Sequence, residues 1–545
     1  MKTIKIFLVG CFLFMSNISF AQLFQSPRMY TLKDSLRGMI TSQRSWWDLN
    51  YYHLNVQVSP KEKKIAGNVV VQFTAINEGN VIQIDLQEPL KMSQVLDENG
   101  QPLVWTKHSE NVYWIESKKV YKQGESGSIT CYYFGIPRKA IQAPWDGGVS
   151  WSKDNQGNDF IATSCQGLGA SVWWPCKDHM YDEPDSMRIS IEVPKPLVAV
   201  SNGRLEKVSD GAENQVFHWV VKNPINNYGV NMNIARYVDF ADVFPGEKGN
   251  LDMHFYVLPE DLEKAKSQFT QAKDMLKAFE HWFGPYPFYE DGYKIVQVPY
   301  LGMEHQSSVT YGNKFANGYL GMDLSGTGWG KKWDYIIIHE SGHEWFANNI
   351  TYRDIADMWI HEGFTTYSES LFTEYYYGKK AGQEYVIGQR RNIGNDAPII
   401  GDYNVNSEGS GDMYYKGANM LNMIRQINQD DQEWNAMFRE MNKRFYHQTV
   451  TSYDIETFMS SYLKLNLQPV FDQYLRTKAI PKLEVRSEKG MHFLRWQNCI
   501  DGFEMPLDVE INGKNYRMTV TSRWEALPGK IKKGKLKVNS NYYVN

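Results

Sequence analysis

The sequence predicts a multidomain α+β protein: an N-terminal β-sandwich-like domain, a mainly helical domain and a small C-terminal β domain. Three observations predict it. Short runs of alternating apolar and polar residues extend from about residue 51 to 238, apolar residues then recur at helical spacing to about residue 476, and alternation returns beyond Pro481. The length of 545 residues leaves room for three or four cores at roughly 150 residues each. With 42 % hydrophobic, 14 % aromatic and 22 % charged residues, the composition excludes disordered, collagen-like and disulfide-scaffold classes.

Residues 1–21 read as a signal peptide. Lys2 and Lys5 precede the apolar run Ile6 to Met15, and Ser19-Phe20-Ala21 supplies the small residues that a secretory cleavage site needs. That run is too short to cross a bilayer and no other stretch approaches 18 apolar residues, so no stable membrane span is expected. Leu8-Val9-Gly10-Cys11 resembles a lipidation box, but the apolar stretch continues past Cys11. Free export to the periplasm or the cell exterior is favoured over a lipoprotein.

Residues 22–240 are expected to form an all-β domain. Leu54, Val56 and Val58 alternate with polar residues, as do Ile82, Ile84 and Leu86, and Asn, Gly and Pro clusters separate such runs. Four cysteines follow the leader, Cys131, Cys165, Cys176 and Cys499. None forms a CxxC pair, and their bridging stays open.

Residues 241–478 carry the helical texture. Leu262, Ala265, Phe269, Ala272, Leu276 and Phe279 predict one helix running to Trp282, which Gly284-Pro285-Tyr286-Pro287 stops. Thr451-Ser452-Tyr453-Asp454 is a capping box opening a later helix. Residues 479–545 return to strand, and Asn512-Gly513 between Val509-Glu510-Ile511 and Lys514 supplies the two positive-φ positions of a type I′ hairpin turn. The basic run Lys530, Lys532, Lys533, Lys535, Lys537 reads as a solvated strand face. A formal net charge of −4, or −6 without Lys2 and Lys5, leaves no footprint for nucleic acid.

The chemistry lies in His339-Glu340-Ser341-Gly342-His343. Histidines at i and i+4 of a helix project from one face and reach one metal, and Glu340 beside them is placed to take a proton from water. A catalytic zinc usually takes three protein ligands, and Glu362 follows His343 after eighteen intervening residues, in a segment that again reads as helix. A lone histidine is more often a structural one. Three correctly typed residues at these offsets reverse that expectation.

This His-Glu-x-x-His, eighteen residues and Glu pattern resembles the aminopeptidase N and leukotriene hydrolase family of zinc peptidases. Four further motifs agree in order. Leu301-Gly302-Met303-Glu304-His305 resembles the family's Gly-x-Met-Glu-Asn segment, and Tyr414-Tyr415-Lys416-Gly417 resembles its Tyr-x-Lys-Gly. Cys165-Gln166 with Trp174-Pro175-Cys176, and Asp182-Glu183-Pro184, are similar to its substrate-facing N-terminal segment. The resemblance covers about residues 50 to 480 and implies a thermolysin-like catalytic domain over 241–478.

It also implies roles. His339, His343 and Glu362 would hold one Zn2+ per chain, Glu340 would be the general base toward the attacking water, and Tyr414 would donate to the oxyanion. Glu304 would hold the α-ammonium group of a peptide with a free N-terminus, Gln166 would add an amide oxygen, and Gly302 and Met303 would offer a backbone edge to substrate. Glu369, two helical turns beyond Glu362, is a candidate to orient a metal-bound histidine from behind. The implied activity is hydrolysis of the N-terminal peptide bond.

Some positions depart from the family pattern: Leu301, His305, His361 and Ala347. His305 and His361 are not taken as ligands, since a fourth protein ligand would close the site. The family's large helical C-terminal domain is expected to be absent. Two other readings remain: a bifunctional epoxide hydrolase and peptidase of the same family, and an exported binding protein with a structural zinc. Glu340 discriminates against the last, because a structural site needs no carboxylate beside its histidines.

Overall fold

The computed structural model describes residues 29–527 and 535–545. The leader at 1–21 and Lys530, Lys532 and Lys533 of the basic run lie outside the described residues.

The N-terminal region is not wholly β. Thr31 caps the helix Leu32–Gly38 and receives Asp34 in return, and a second short helix, Ser42–Ser45, follows. Thr31-Leu32-Lys33-Asp34 carries the same capping-box signal as residues 451–454. Sheet then takes over. Trp47–Ser59 pairs antiparallel with Lys64–Ala75 and parallel with Ser186–Pro194 at the centre of a seven-stranded sheet. Leu54, Val56 and Val58 face its core while Gln57 and Ser59 face solvent, as the period of two requires. Three- and four-stranded sheets complete this β-rich domain.

The strand Val238–Gly246 straddles residue 240, so β structure continues past the boundary expected there. It forms a hairpin with Gly249–Val257 that joins Tyr293–Gln297, Val309–Tyr311 and, at the edge, Gly302–Met303 in a five-stranded mixed sheet. Alternate residues of this sheet face different cores. Met253, Phe255 and Val257 pack with the helices, whereas Tyr256, Leu258, Val296 and Val298 pack with the N-terminal β domain. The sheet is therefore a shared wall, and its free edge lies beside the His-Glu-x-x-His helix.

The helix expected over 262–282 is two, Leu262–Gln268 and Gln271–Phe283. They break at Phe269 and Thr270, where the Thr270 hydroxyl donates to the Ser267 carbonyl. Gly284, at φ 94°, ends the second piece. Among the described residues beyond Pro481, strands form two three-stranded sheets, with Asn512 at φ 53° and Gly513 at φ 76° in the turn between Glu504–Ile511 and Lys514–Thr521. Leu494, Trp496, Leu507 and Val509 of these sheets share one core with the helices. The four cysteines carry free thiols. Among the described residues no helix is long and apolar enough to cross a membrane.

Candidate metal centre and active site

The helix Tyr335–Gly342 starts at Asp334, whose carboxylate accepts from the Ile336 and Ile337 amides. The same carboxylate accepts from the Tyr311 hydroxyl at 2.7 Å and the Asn313 amide at 2.8 Å, so the helix end is pinned to the sheet wall. An N-cap of this kind contributes about 0.5–2 kcal/mol, and here it also fixes where the histidines point. The helix ends at Gly342 and His343 caps it. A Cβ on Gly342 would lie 2.7 Å from Ser368 Oγ and 3.1 Å from Thr365 Cγ2, so only glycine lets this helix cross the long helix Trp359–Tyr377 closely. A second close crossing sets the other wall. The Gly363 Cβ position lies 3.5 Å from Gly417 Cα, which draws the helix Tyr415–Asn428, and with it Tyr414, toward Glu362.

Three ligand-type atoms converge between these helices. His339 Nε2 and His343 Nε2 lie 3.6 and 3.4 Å from Glu362 Oε2, an oxygen that is buried and accepts no hydrogen bond. The opposite ring nitrogens are occupied. His343 Nδ1 donates to the Phe346 carbonyl at 3.0 Å, with Thr365 Oγ1 at 3.1 Å, and His339 Nδ1 lies 2.7 Å from Glu369 Oε1. A proton on each Nδ1 leaves both Nε2 lone pairs facing Glu362, the tautomers that a metal needs. Burial would lift the Glu362 carboxyl, yet His343 and His339 in their protonated forms hold it well below the ordinary carboxylate range, and a cation bound between their neutral Nε2 atoms and Glu362 would take over that charge. A buried anion, two inward lone pairs and an orphaned oxygen fit a divalent cation with nitrogen and oxygen preference.

The remaining predicted site residues surround this point. Burial lifts Glu340 to about 7 against the pull of His339, with Glu304 adding to the rise. Oxygens of Glu340 and Glu304 and a nitrogen of His343 all lie within 4.8 Å of one another. Glu304 follows the edge strand Gly302–Met303, and its carbonyl accepts from Asn348 Nδ2 at 2.9 Å. A Cβ on Gly302 would meet Ile336 Cγ2 at 2.6 Å, so glycine allows the edge strand to press against the catalytic helix. Met303 is buried in the core shared with the β domain. Tyr414 stacks 6.2 Å from His339; burial and the carboxylates of Glu362, Glu304 and Glu340 keep its hydroxyl protonated far above the ordinary range.

Gln166 differs from expectation. Its amide nitrogen, not its oxygen, faces the site, donating to Glu304 Oε1 at 2.7 Å and to Glu362 Oε1 at 2.8 Å. Two buried carboxylates need donors, and the amide nitrogen is the end of Gln166 that can serve both. His305 and His361 stay outside the metal-capable group. His361 Nε2 accepts from the Tyr352 amide at 2.9 Å, and His305 Nδ1 lies 3.2 Å from Thr310 Oγ1.

Residues not singled out from the sequence complete the site. Asp334, Thr365, the Phe346 carbonyl and Asn348 orient its members. Arg37 and Asn406 converge on the Gly167 carbonyl at 2.8 and 3.3 Å, fixing the loop that carries Gln166. Of these only Asp334, standing just before the apolar run Ile336–Ile338, had a local signal, that of an N-cap.

The Peptidase family M1 domain model matches residues 267–474, and the Peptidase M1 N-terminal domain model matches residues 49–228. Endoplasmic reticulum aminopeptidase 1 of Mus musculus is 25 % identical over 315 residues, 53 % of this chain and 32 % of that protein. Leukotriene A-4 hydrolase of Xenopus laevis is 22 % identical over 352 residues, covering 60 % of this chain and 54 % of that protein. The chain thus spans about a third to a half of the length of these relatives. An M1 zinc metallopeptidase from Deinococcus radiodurans superposes with a TM-score of 0.67 at 20 % identity, covering 81 % of this chain and 95 % of the other, which shows a common fold. A mutant of that protein bound to a Tyr-Ser-Ala substrate gives a TM-score of 0.66 at 19 % identity, with 81 % and 96 % covered.

Proposed function

The chain belongs to peptidase family M1, and from that premise we propose that it is a zinc-dependent aminopeptidase that hydrolyses the first peptide bond of substrates with a free N-terminus. The observation that carries the proposal is the convergence of His339 Nε2, His343 Nε2 and the orphaned Glu362 Oε2, with Glu340 and Glu304 at its border. When bound, zinc supplies Lewis acidity toward the scissile carbonyl and lowers the pKa of water in the site toward ~7.

The protein's own groups do the rest. Glu340 takes a proton from the attacking water as the new carbon–oxygen bond forms, then passes it to the departing amine nitrogen as the carbon–nitrogen bond breaks. Burial raises its carboxyl above the ordinary range, which favours holding the proton between the two halves of that transfer. Tyr414, held protonated, donates to the oxygen on which negative charge develops. Glu304 binds the substrate ammonium. The Gln166 amide that now donates to Glu304 fixes the carboxylate in place, and on amine binding it can keep its second bond to Glu362. Capturing the amine one residue from the metal limits cleavage to the first residue. The free edge of Gly302–Met303 is where substrate backbone would pair. The Tyr-Ser-Ala ligand of the Deinococcus radiodurans mutant makes a tripeptide a sensible first substrate.

The test is a panel of aminoacyl anilides and short peptides, each also as its N-acetyl derivative, with zinc-loaded and chelator-treated protein. Turnover of free-amine substrates that chelator abolishes is expected. Equal turnover of the acetylated set would remove the exopeptidase assignment, and no turnover at all would remove the enzyme reading. We further read the first 21 residues as an export signal. Recovery of the intact, unprocessed chain from the cytoplasm would overturn that reading.

A further inference from the structure

Behind the metal centre lies a buried set of hydrogen bonds, and the residue next to its last member is tied to the terminal β domain. Glu369 uses Oε1 for His339 Nδ1 at 2.7 Å. Its other oxygen, Oε2, accepts from the Tyr385 hydroxyl at 2.7 Å and from Gln389 Nε2 at 2.9 Å. Glu369, Tyr385 and Gln389 are all essentially sealed from solvent, at 0, 1 and 0 % exposure. Tyr385 and Gln389 stand four residues apart where the helix Lys379–Gly388 tightens into the turn Gln389–Asn392, so they share a face and grip one oxygen together.

The next residue is clamped from the opposite side. Arg390 donates from Nε to Asn419 Oδ1 at 2.6 Å, from Nη1 to the Ser540 carbonyl at 2.9 Å and from Nη2 to the Asn541 carbonyl at 3.2 Å. Its guanidinium lies 5.3 Å from the Tyr543 ring centroid, and Asn395 Nδ2 donates to the Tyr543 hydroxyl at 2.9 Å. Three directed bonds and a stacked ring fix the backbone at 390, and thereby the direction from which Gln389 approaches Glu369.

We propose that Tyr385 and Gln389 are positioning residues for the metal centre, and that the terminal β domain, through Arg390, sets the pose of Gln389. The proposal rests on the reading that His339, His343 and Glu362 hold the metal. A buried carboxylate with one oxygen unpartnered can rotate about its terminal torsion, and turning Oε1 away would free the His339 ring to swing its Nε2 off the metal position. Two donors on Oε2 block that rotation. Groups one step behind metal ligands typically change metal affinity by about 10- to 100-fold.

The experiment uses the full chain carrying cobalt in place of zinc, because the visible bands of cobalt report ligand geometry whether or not catalysis occurs. Wild type, Tyr385→Phe, Gln389→Met, the double variant and Arg390→Met are compared by cobalt spectrum, by metal affinity in competition with a chelator, and by unfolding temperature without metal. The double variant is expected to bind metal about tenfold more weakly and to shift the cobalt bands, with kcat reduced and KM retained. The single variants, which each keep one donor, should fall between. Arg390→Met should move the bands in the same sense by less. Variants that fold, bind as tightly as wild type and give its spectrum would overturn the proposal. An Arg390→Met protein with a lowered unfolding temperature and an unchanged spectrum would overturn the terminal domain's part in it. Wild-type protein taking up no cobalt would overturn instead the underlying metal reading.

Discussion

The two halves of the site are built differently. The metal half, His339, His343 and Glu362, comes from two helices of one core, and both histidines are held by partners of that core, Glu369, the Phe346 carbonyl and Thr365; only Glu362 also takes a bond from outside it, from Gln166. The recognition half is assembled across a domain boundary. Glu304 sits on a sheet edge, Gln166 arrives from the β-rich domain, and the loop behind Gln166 is held by Arg37 and Asn406, which lie 130 and 239 residues away in sequence. The difference teaches where tolerance lies. Chemistry is placed on rigid helices, while the grip on the amine depends on how two domains sit together.

The sharpest way to separate the halves is at Glu340. Glu340→Gln keeps the three ligands but removes the base, so kcat for an aminoacyl anilide should fall by about 10² to 10⁴-fold while metal analysis still finds one zinc per chain. Loss of zinc would mean that Glu340 belongs among the ligands. Tyr414→Phe, next in size, removes one oxyanion donor at a cost of about 2.7–4 kcal/mol, read in kcat with KM nearly unchanged. A dominant rise in KM would move Tyr414 to the recognition half.

On that other half, Glu304→Ala takes away a charge-assisted bond of about 1.5–3 kcal/mol, so kcat/KM for free-amine substrates should drop by roughly 10- to 150-fold. The ratio of free to acetylated turnover should shrink with it. Arg37→Ala reaches the same half at one remove: Gln166 loosens, and KM should rise about five- to tenfold, with zinc content and kcat retained. A variant that loses zinc would dissolve the distinction between the two halves.

A last effect is on stability and leaves turnover aside. Burial pushes His305, beside Glu304, down to about 3. The unfolded chain takes up that proton near pH 6.5 and the folded chain does not, so as pH falls from about 6.5 to 4 this one residue lowers stability by about 1.4 kcal/mol per pH unit. His305→Gln should flatten the acid limb of denaturant-derived stability by that slope. An unchanged limb would place the proton uptake elsewhere.

The metal half was far more legible in the sequence than the recognition half, and the same difference explains why. Helical spacing turns His339 and His343 into neighbours by local geometry alone, the need of a catalytic zinc for a third ligand pointed to Glu362, and the resemblance supplied Tyr414 and Glu304. Nothing local announces that Arg37 meets Gly167, or that Asn348 holds the Glu304 carbonyl, because those contacts exist only once the domains have docked. Gln166 was named, yet its donor face was not foreseen, since that choice follows from two buried carboxylates on other segments. In the fold, strand and helix textures marked the three regions. The helix break at Phe269 and the strand running through residue 240 were missed, since apolar periodicity is uninterrupted at the first and the second is fixed by pairing with Gly249–Val257.

The sheet wall whose faces belong to different cores makes the two large domains depend on each other for solubility. A fragment beginning near residue 241 would leave Tyr256, Leu258, Val296 and Val298 without a covering surface and would present a contiguous apolar face to water. Such a piece is expected to aggregate on expression, and the intact protein to lose both domains in one cooperative melting transition. In this molecule the boundary between recognition and chemistry is no place to cut.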